Sequence, residues 1–193
     1  RSPKTFEKIM IKTNAVYWQN FVSLEDRKLI LDKIEKDYDF LEKSDQYKNS
    51  IKNMDRVKCV KYENIKHIPT IKSIINEMYE ANKQVIGFDL HTYTDNQVLN
   101  LNSYELNKSY EWHKDSTPTP HIDIKLTGLI DLSTEDYEGG EFQMNEGAEK
   151  TIEQFSKGGD MILFRSHILH RVLPVKKGRR KSLAVFLTGP NFK

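Results

Sequence analysis

The sequence predicts an α+β protein whose core is mainly β, a jelly roll with N-terminal helices packed on one sheet. Three observations support this. Helical periodicity is confined to the first half of the chain. From about Val85 it gives way to many short β-rich segments separated by turn residues, the pattern of a sandwich or jelly roll. A chain of 193 residues, 37% hydrophobic and 30% charged, can also close one core without covalent staples. No linker divides it, so one domain over 1–193 is expected, with a helical part at about 1–84 and a jelly-roll core at about 85–190.

Residues 1–12 read as a tail able to join an early strand. Ser23 and Asp26 form a capping-box pattern with Asp in the usual Glu/Gln place. Leu24, Leu29, Ile30, Leu31 and Ile34 then recur at helical spacing to about Lys36. Residues 37–66 are polar and irregular, with a strand near Val57–Tyr62. Pro69 suits the first turn of a second helix, whose buried stripe is Ile71, Ile74, Ile75 and Met78. The aromatics Tyr17, Trp18 and Phe21 read as core. Strands are expected at 85–93, 98–104, 109–115, 122–132, 141–144, 160–164, 168–175 and 181–187. Asn107, Pro118, Pro120, Gly139-Gly140, Gly158-Gly159 and Gly178 punctuate them.

Composition narrows the function. No apolar run approaches the roughly 20 residues of a membrane span. Residues 1–12 are charged and lack the apolar stretch of a leader, and a single cysteine suits a reducing compartment, so a cytoplasmic location is expected. Cys59 is the single cysteine, which excludes an internal disulfide framework and a thiolate zinc cluster; it reads as an ordinary buried or half-buried thiol. Thirty basic against 28 acidic side chains leave a net charge of +2, which does not favour a nucleic-acid partner. The basic run from Lys176 to Lys181 reads as a solvated turn.

The chemistry-bearing residues are concentrated after residue 110. Two H-x-D triplets occur, His113-Lys114-Asp115 and His121-Ile122-Asp123. In a strand, residues i and i+2 share a face, so each triplet offers an imidazole and a carboxylate side by side. A second histidine from another strand would complete three ligands, and two histidines with one carboxylate favour non-haem Fe(II). The segment 159–182 supplies His167 and His170, then Arg179, Arg180 and Ser182. Arg180 and Ser182 share a face and together can grip a carboxylate. A metal triad beside such a clamp suits a 2-oxo acid cosubstrate.

These pieces, in order, resemble a known family. They are Tyr110-Glu111-Trp112-His113-Lys114-Asp115, Lys125-Leu126-Thr127-Gly128, Tyr137-Glu138-Gly139-Gly140-Glu141-Phe142, Gly158-Gly159-Asp160 through Phe164, His170-Arg171-Val172 with Pro174-Val175, and Gly178-Arg179-Arg180. With a lead-in from Ala81-Asn82 to Phe88-Asp89-Leu90, the stretch is similar to the Fe(II)/2-oxoglutarate-dependent oxygenases. Within them it resembles the prolyl 4-hydroxylase-like branch, and there the PKHD-type hydroxylases.

The resemblance implies a double-stranded β-helix and a dioxygenase using Fe(II), 2-oxoglutarate and O2, with ascorbate as an optional reductant. It implies that His113, Asp115 and His170 hold the iron. It further implies that Arg180, helped by Ser182, pairs with the distal carboxylate of 2-oxoglutarate, and that Tyr104 touches the cosubstrate. The aromatic lead-in favours His113-Lys114-Asp115 over His121-Ile122-Asp123. The Arg-Val-x-Pro-Val pattern favours His170 over His167, and the ten-residue spacing from His170 favours Arg180 over Arg179. Related halogenases carry a small residue at the position of Asp115, so the carboxylate points to hydroxylation. Nucleic-acid demethylases carry a second arginine where this chain has Phe186. The expected reaction is hydroxylation of an unactivated C–H bond, with release of succinate and CO2, on a prolyl residue of a peptide or protein. A free amino acid, another small molecule or a nucleic acid is the alternative substrate, and an inactive jelly-roll binding module is the rival from another class. Segments 37–56 and 116–122 are expected to fold over the substrate. No oligomeric state is implied.

Overall fold

The computed structural model describes residues 7–10, 15–36, 52–54, 56–116 and 123–191. Most of the two segments expected to cover the substrate, and the Thr-Pro-Thr-Pro loop with His121, lie outside the described residues.

Two sheets face each other. The major sheet has seven strands in the order β1 (Glu7–Met10), β2 (Ala15–Gln19), β11 (Met161–Arg165), β7 (Asp123–Asp131), β14 (Arg180–Gly189), β5 (Val98–Tyr104) and β4 (Arg56–Lys61). The minor sheet has five, in the order β10 (Glu149–Thr151), β9 (Phe142–Asn145), β12 (Leu169–Val172), β6 (Ser109–His113) and β3 (Lys52–Asn53). A two-stranded ribbon pairs β8 (Glu138–Gly139) with β13 (Val175–Lys177). Three helices, α1 (Leu24–Lys36), α2 (Tyr62–Ile65) and α3 (Pro69–Ala81), complete the described elements, α3 running into a π-helical turn at Asn82–Ile86.

The major sheet is buried on both faces. Val16, Trp18, Leu101, Leu126, Ile130, Leu163 and Val185 share one core cluster with Ile30 and Ile34 of α1 and Ile71, Ile74 and Met78 of α3. Tyr17, Leu129, Ile162, Phe164 and Ala184, from the opposite faces of the same strands, share the second cluster with Phe142, Met144 and Val172 of the minor sheet. A strand covered on both sides needs no polar alternation, which is why Met161–Phe164 and Leu183–Val185 read as continuous apolar runs. Helix α3 approaches β7 at Gly128, where a Cβ would meet the Met78 Sδ and Cε atoms at 2.7 Å.

The helices form where their periodicity places them. The Asp26 N–H donates to Ser23 Oγ at 3.2 Å, and that hydroxyl donates to the Asp26 carboxylate at 2.9 Å, closing the first turn of α1. Pro69 opens α3.

Three expectations change. The β core is not confined to residues after 84: β2 lies next to β11, and β4 lies beside β5 at the edge of the major sheet. β4 is the strand expected near Val57–Tyr62, while the partner of β2 stands far away in sequence, so local pattern does not reveal β2. No strand forms at 85–93. The π turn extends α3 to Ile86, and the Asn82 side chain bridges the Phe88 backbone, donating to its C=O at 2.9 Å and accepting from its N–H at 3.0 Å. Finally, 168–175 is two strands, because the chain leaves the minor sheet at Val172 and pairs with β8 from Val175.

Candidate active site

The two sheets enclose a cavity of about 160 Å³. His113 and His170 face each other across β6 and β12 as a register pair. Asp115 follows β6, where its N–H and that of Ser116 donate to the Ser166 C=O at 3.0 and 3.1 Å. Ligand atoms of His113, Asp115 and His170 all lie within 4.8 Å of one another. The His113 Nε2 is 3.6 Å from Asp115 Oδ1, and the His170 Nε2 is 3.4 Å from Asp115 Oδ2.

Backbone carbonyls fix both tautomers. The His113 Nδ1 is 2.7 Å from the Glu111 C=O, and the His170 Nδ1 is 2.9 Å from the Ile168 C=O. A carbonyl only accepts, so each Nδ1 carries a proton and the Nε2 of each ring is the atom turned to the carboxylate. Burial pushes the His170 imidazole down to about 4, against a weaker opposing effect of its bond to Ile168, so it is neutral at pH 7. Phe164 meets the His170 ring edge-on at 4.7 Å between centroids.

Tyr110 stacks on His113 at 3.5 Å with the rings 8° from parallel. Three residues apart in a regular strand, they would point to opposite faces. The pairing His170↔His113 and Val172↔Tyr110 inserts an extra residue in β6, and this bulge brings both rings to one side.

The expected clamp occupies the other end of the site. Arg180 and Tyr104 are register partners on β14 and β5, and both are fully buried. The Arg180 Nη1 donates to Ser182 Oγ at 3.2 Å, leaving the Ser182 hydroxyl hydrogen for another acceptor. The guanidinium carbon lies 5.4 Å from the Tyr104 ring centroid. Tyr104 and Ser182 line the cavity, and Arg180 packs behind them. Its Nε is buried without a hydrogen-bond partner, 4.0 Å from Asp131 Oδ2. That carboxylate accepts from Tyr137 Oη at 2.6 Å, while Asp131 Oδ1 accepts from the Ser133 N–H at 2.8 Å. Burial works against the charge of Arg180, but Tyr137, Asp131 and Tyr104 hold its pKa above the ordinary value. Burial pushes the Tyr104 phenol up to about 12, so it remains a donor, with Arg180 pulling down and Asp115 pushing up. Gly140, at φ +66°, passes so close that a Cβ would stand 2.9 Å from Arg180 Cδ.

The competing residues fall elsewhere. Asp123 is buried, accepting from Ser116 Oγ at 2.7 Å and pairing with Lys125 at 3.2 Å. His167 is outside the triad. Arg179 is exposed and pairs with Glu105. Cys59 is half-buried and free, and lines the cavity with Asn100, Asn102 and Phe186. Sequence reasoning assigned no role to Thr127, Asp131 or Ser166. The signal for the first two was polarity on one face of β7, where Asp123, Lys125, Thr127 and Asp131 share alternate positions.

The donor set fits Fe(II): two neutral imidazoles and one carboxylate, with no thiolate. A buried guanidinium nitrogen lacking a partner, behind two hydroxyl-bearing walls, likewise fits an anionic cosubstrate. Residues 99–188 match the family model of the 2OG-Fe(II) oxygenase superfamily, a little under half of the chain. The same region of the chain is similar to PKHD-type hydroxylases. A PKHD-type hydroxylase of Idiomarina loihiensis is 34% identical over 88 residues, a match covering 44% of this chain and 39% of that protein. The chain thus spans about two fifths of the length of that curated relative.

Solved structures share the fold at lower identity. A Pseudomonas putida prolyl-4-hydroxylase superposes with a TM-score of 0.70 at 16% identity, covering 93% of this chain and 95% of that one. A Trichoplax adhaerens prolyl hydroxylase, in complex with a peptide fragment of a hypoxia inducible factor, gives 0.64 at 15% identity, covering 91% and 84%. No helix among the described residues is long and apolar enough to cross a membrane.

Proposed function

We propose that this chain, as a single oxygenase domain, hydroxylates an unactivated C–H bond, consuming 2-oxoglutarate and O2 and releasing succinate and CO2. The favoured substrate is a prolyl residue in a peptide or protein. The convergence of His113, Asp115 and His170 within 4.8 Å in the cavity between the sheets carries this reading. Iron held there, with 2-oxoglutarate, supplies the activation of dioxygen and the oxidation of the C–H bond.

The chain's own residues bind and orient. His113 and His170 present Nε2 because their Nδ1 protons are committed to backbone carbonyls. Asp115 adds the anionic ligand. Arg180, Ser182 and Tyr104 would receive the distal carboxylate of 2-oxoglutarate, the first as a fixed charge and the others as hydroxyl donors. Phe142, Leu129, Val172, Ala184 and Phe186 form apolar walls that limit water around the oxidant. The peptide bound to the Trichoplax enzyme supports a peptide or protein substrate.

The test needs no substrate guess. Fe(II) and 2-oxoglutarate are added to the apoprotein without oxygen and the visible absorption is recorded. A charge-transfer band that requires both, and is lost in Asp115→Ala, is the expected result. Succinate release is then followed with proline-containing peptides, with and without ascorbate. A folded protein of measured metal content that gives no band would overturn the oxygenase reading in favour of a binding module.

A further inference from the structure

We infer that Thr127 and Ser166 are positioning residues that fix the carboxylate of Asp115 for metal binding. This rests on the iron-site reading and deepens it. Both residues are wholly buried, and neither is a metal ligand.

Proton bookkeeping sets the direction of the chain. The Thr127 Oγ1 is 2.8 Å from Asp115 Oδ2 and 2.9 Å from Ser166 Oγ. A carboxylate only accepts, so Thr127 donates to Asp115. Its single proton is then spent, and Ser166 must donate to Thr127. Ser166 also holds the backbone beneath the carboxylate, its C=O accepting from the N–H groups of Asp115 and Ser116 at 3.0 and 3.1 Å. Its own N–H donates to the Lys125 C=O at 3.0 Å, anchoring the arrangement to β7.

Asp115 needs this support because it lies beyond the last residue of β6, outside the ladder that fixes His113 and His170. Of the three ligands it alone has its place set by side-chain and loop contacts. A hydroxyl on Oδ2 restrains rotation of the carboxylate, and Thr127 reaches it because β7 turns alternate residues toward the minor sheet. Outer partners of this kind typically change metal affinity by 10- to 100-fold when removed.

The probe is Co(II) alone, titrated anaerobically into the apoprotein and followed by its visible d–d bands. Thr127→Val keeps the shape and removes the donor. It is expected to weaken Co(II) binding by about 10- to 100-fold and to alter the band pattern. Thr127→Ser, which restores a hydroxyl, is expected to recover most of the affinity and the wild-type spectrum. Ser166→Ala, which keeps its backbone contacts and loses only the second donor, is expected to give a smaller loss. A merely structural role would lower the melting temperature without moving the spectrum of the bound ion. Folded Thr127→Val that binds Co(II) within twofold of wild type, with unchanged bands, would overturn the inference. Should that variant not fold, Thr127→Ala and Ser166→Ala decide: affinity equal to wild type and identical spectra in both would overturn it. Wild-type protein that binds no Co(II) would overturn the iron-site reading itself, and this inference with it.

Discussion

Arg180 has a structural partner in Asp131 and a proposed ligand in 2-oxoglutarate, and the two can be separated. It is 1% exposed and stands 4.0 Å from Asp131, also 1% exposed. At that separation, and an effective dielectric of about 20, the attraction is about 4 kcal/mol. Arg180→Met keeps much of the volume but leaves the Asp131 carboxylate buried with only the Tyr137 hydroxyl and the Ser133 N–H. Breaking one side of a buried pair costs about 3–5 kcal/mol, a fall of about 6–20 °C in melting temperature for a domain of this size. The same change removes a charged donor from the cosubstrate, worth about 1.5–3 kcal/mol, so the Kd for 2-oxoglutarate should rise about 10- to 150-fold. The double variant Arg180→Met/Asp131→Leu removes the stranded anion. It should regain most of the stability, since apolar replacement of a buried pair is often neutral, and should regain none of the affinity. Thermal denaturation and calorimetric titration of 2-oxoglutarate with Mn(II) present measure the two effects. Recovery of 2-oxoglutarate binding in the double variant would refute the clamp, and an unchanged melting temperature in Arg180→Met would refute the pair.

Asp115→Ala and His170→Ala should each abolish 2-oxoglutarate consumption while circular dichroism stays that of the wild type, because each removes one donor from the triad and leaves the sheets. Gly140→Ala should weaken 2-oxoglutarate binding with little change at the metal. Its φ of +66° strains any side chain by roughly 1 kcal/mol or more, and the new methyl pushes on Arg180 Cδ; parallel titrations of Co(II) and 2-oxoglutarate separate the two. The apoprotein should lose stability on mild acidification. His170 titrates near 4 when folded and near 6.5 when unfolded, so between these values the unfolded state binds the extra proton and stability falls as pH falls. The loss should begin near pH 6.5 and reach about 3 kcal/mol by pH 4. His170→Phe should flatten that part of the profile in urea titrations.

What the sequence disclosed, and what it did not, divides by the range of the interactions. Helix α3 was legible because Ile71, Ile74, Ile75 and Met78 meet the core on one stripe, and a stripe is local. The longer strands from Val98 onward, β5, β6, β7, β9, β11 and β14, were legible from their length and their turns, whereas the short β8 and β10 and the break between β12 and β13 were not. Strand β2 was not: its place depends on pairing with Met161–Phe164, about 145 residues away, and five residues of AVYWQ carry no mark of that partner. The site divides in the same way. His113 and Asp115 are two residues apart, and His170 and Arg180 are ten apart, so spacing and resemblance named them. Tyr110 against His113 depends on a bulge, and a bulge is defined only by two strands together. Thr127 and Asp131 carried a weaker signal, because polar side chains at alternate positions of a strand buried on both faces must point at something that repays their desolvation. At one end of β7 that is Asp115, and at the other Arg180. The strand thereby links Asp115 to Arg180 through two polar contacts on one face. A one-residue slip in its register with β11 or β14 would therefore disrupt both contacts at once.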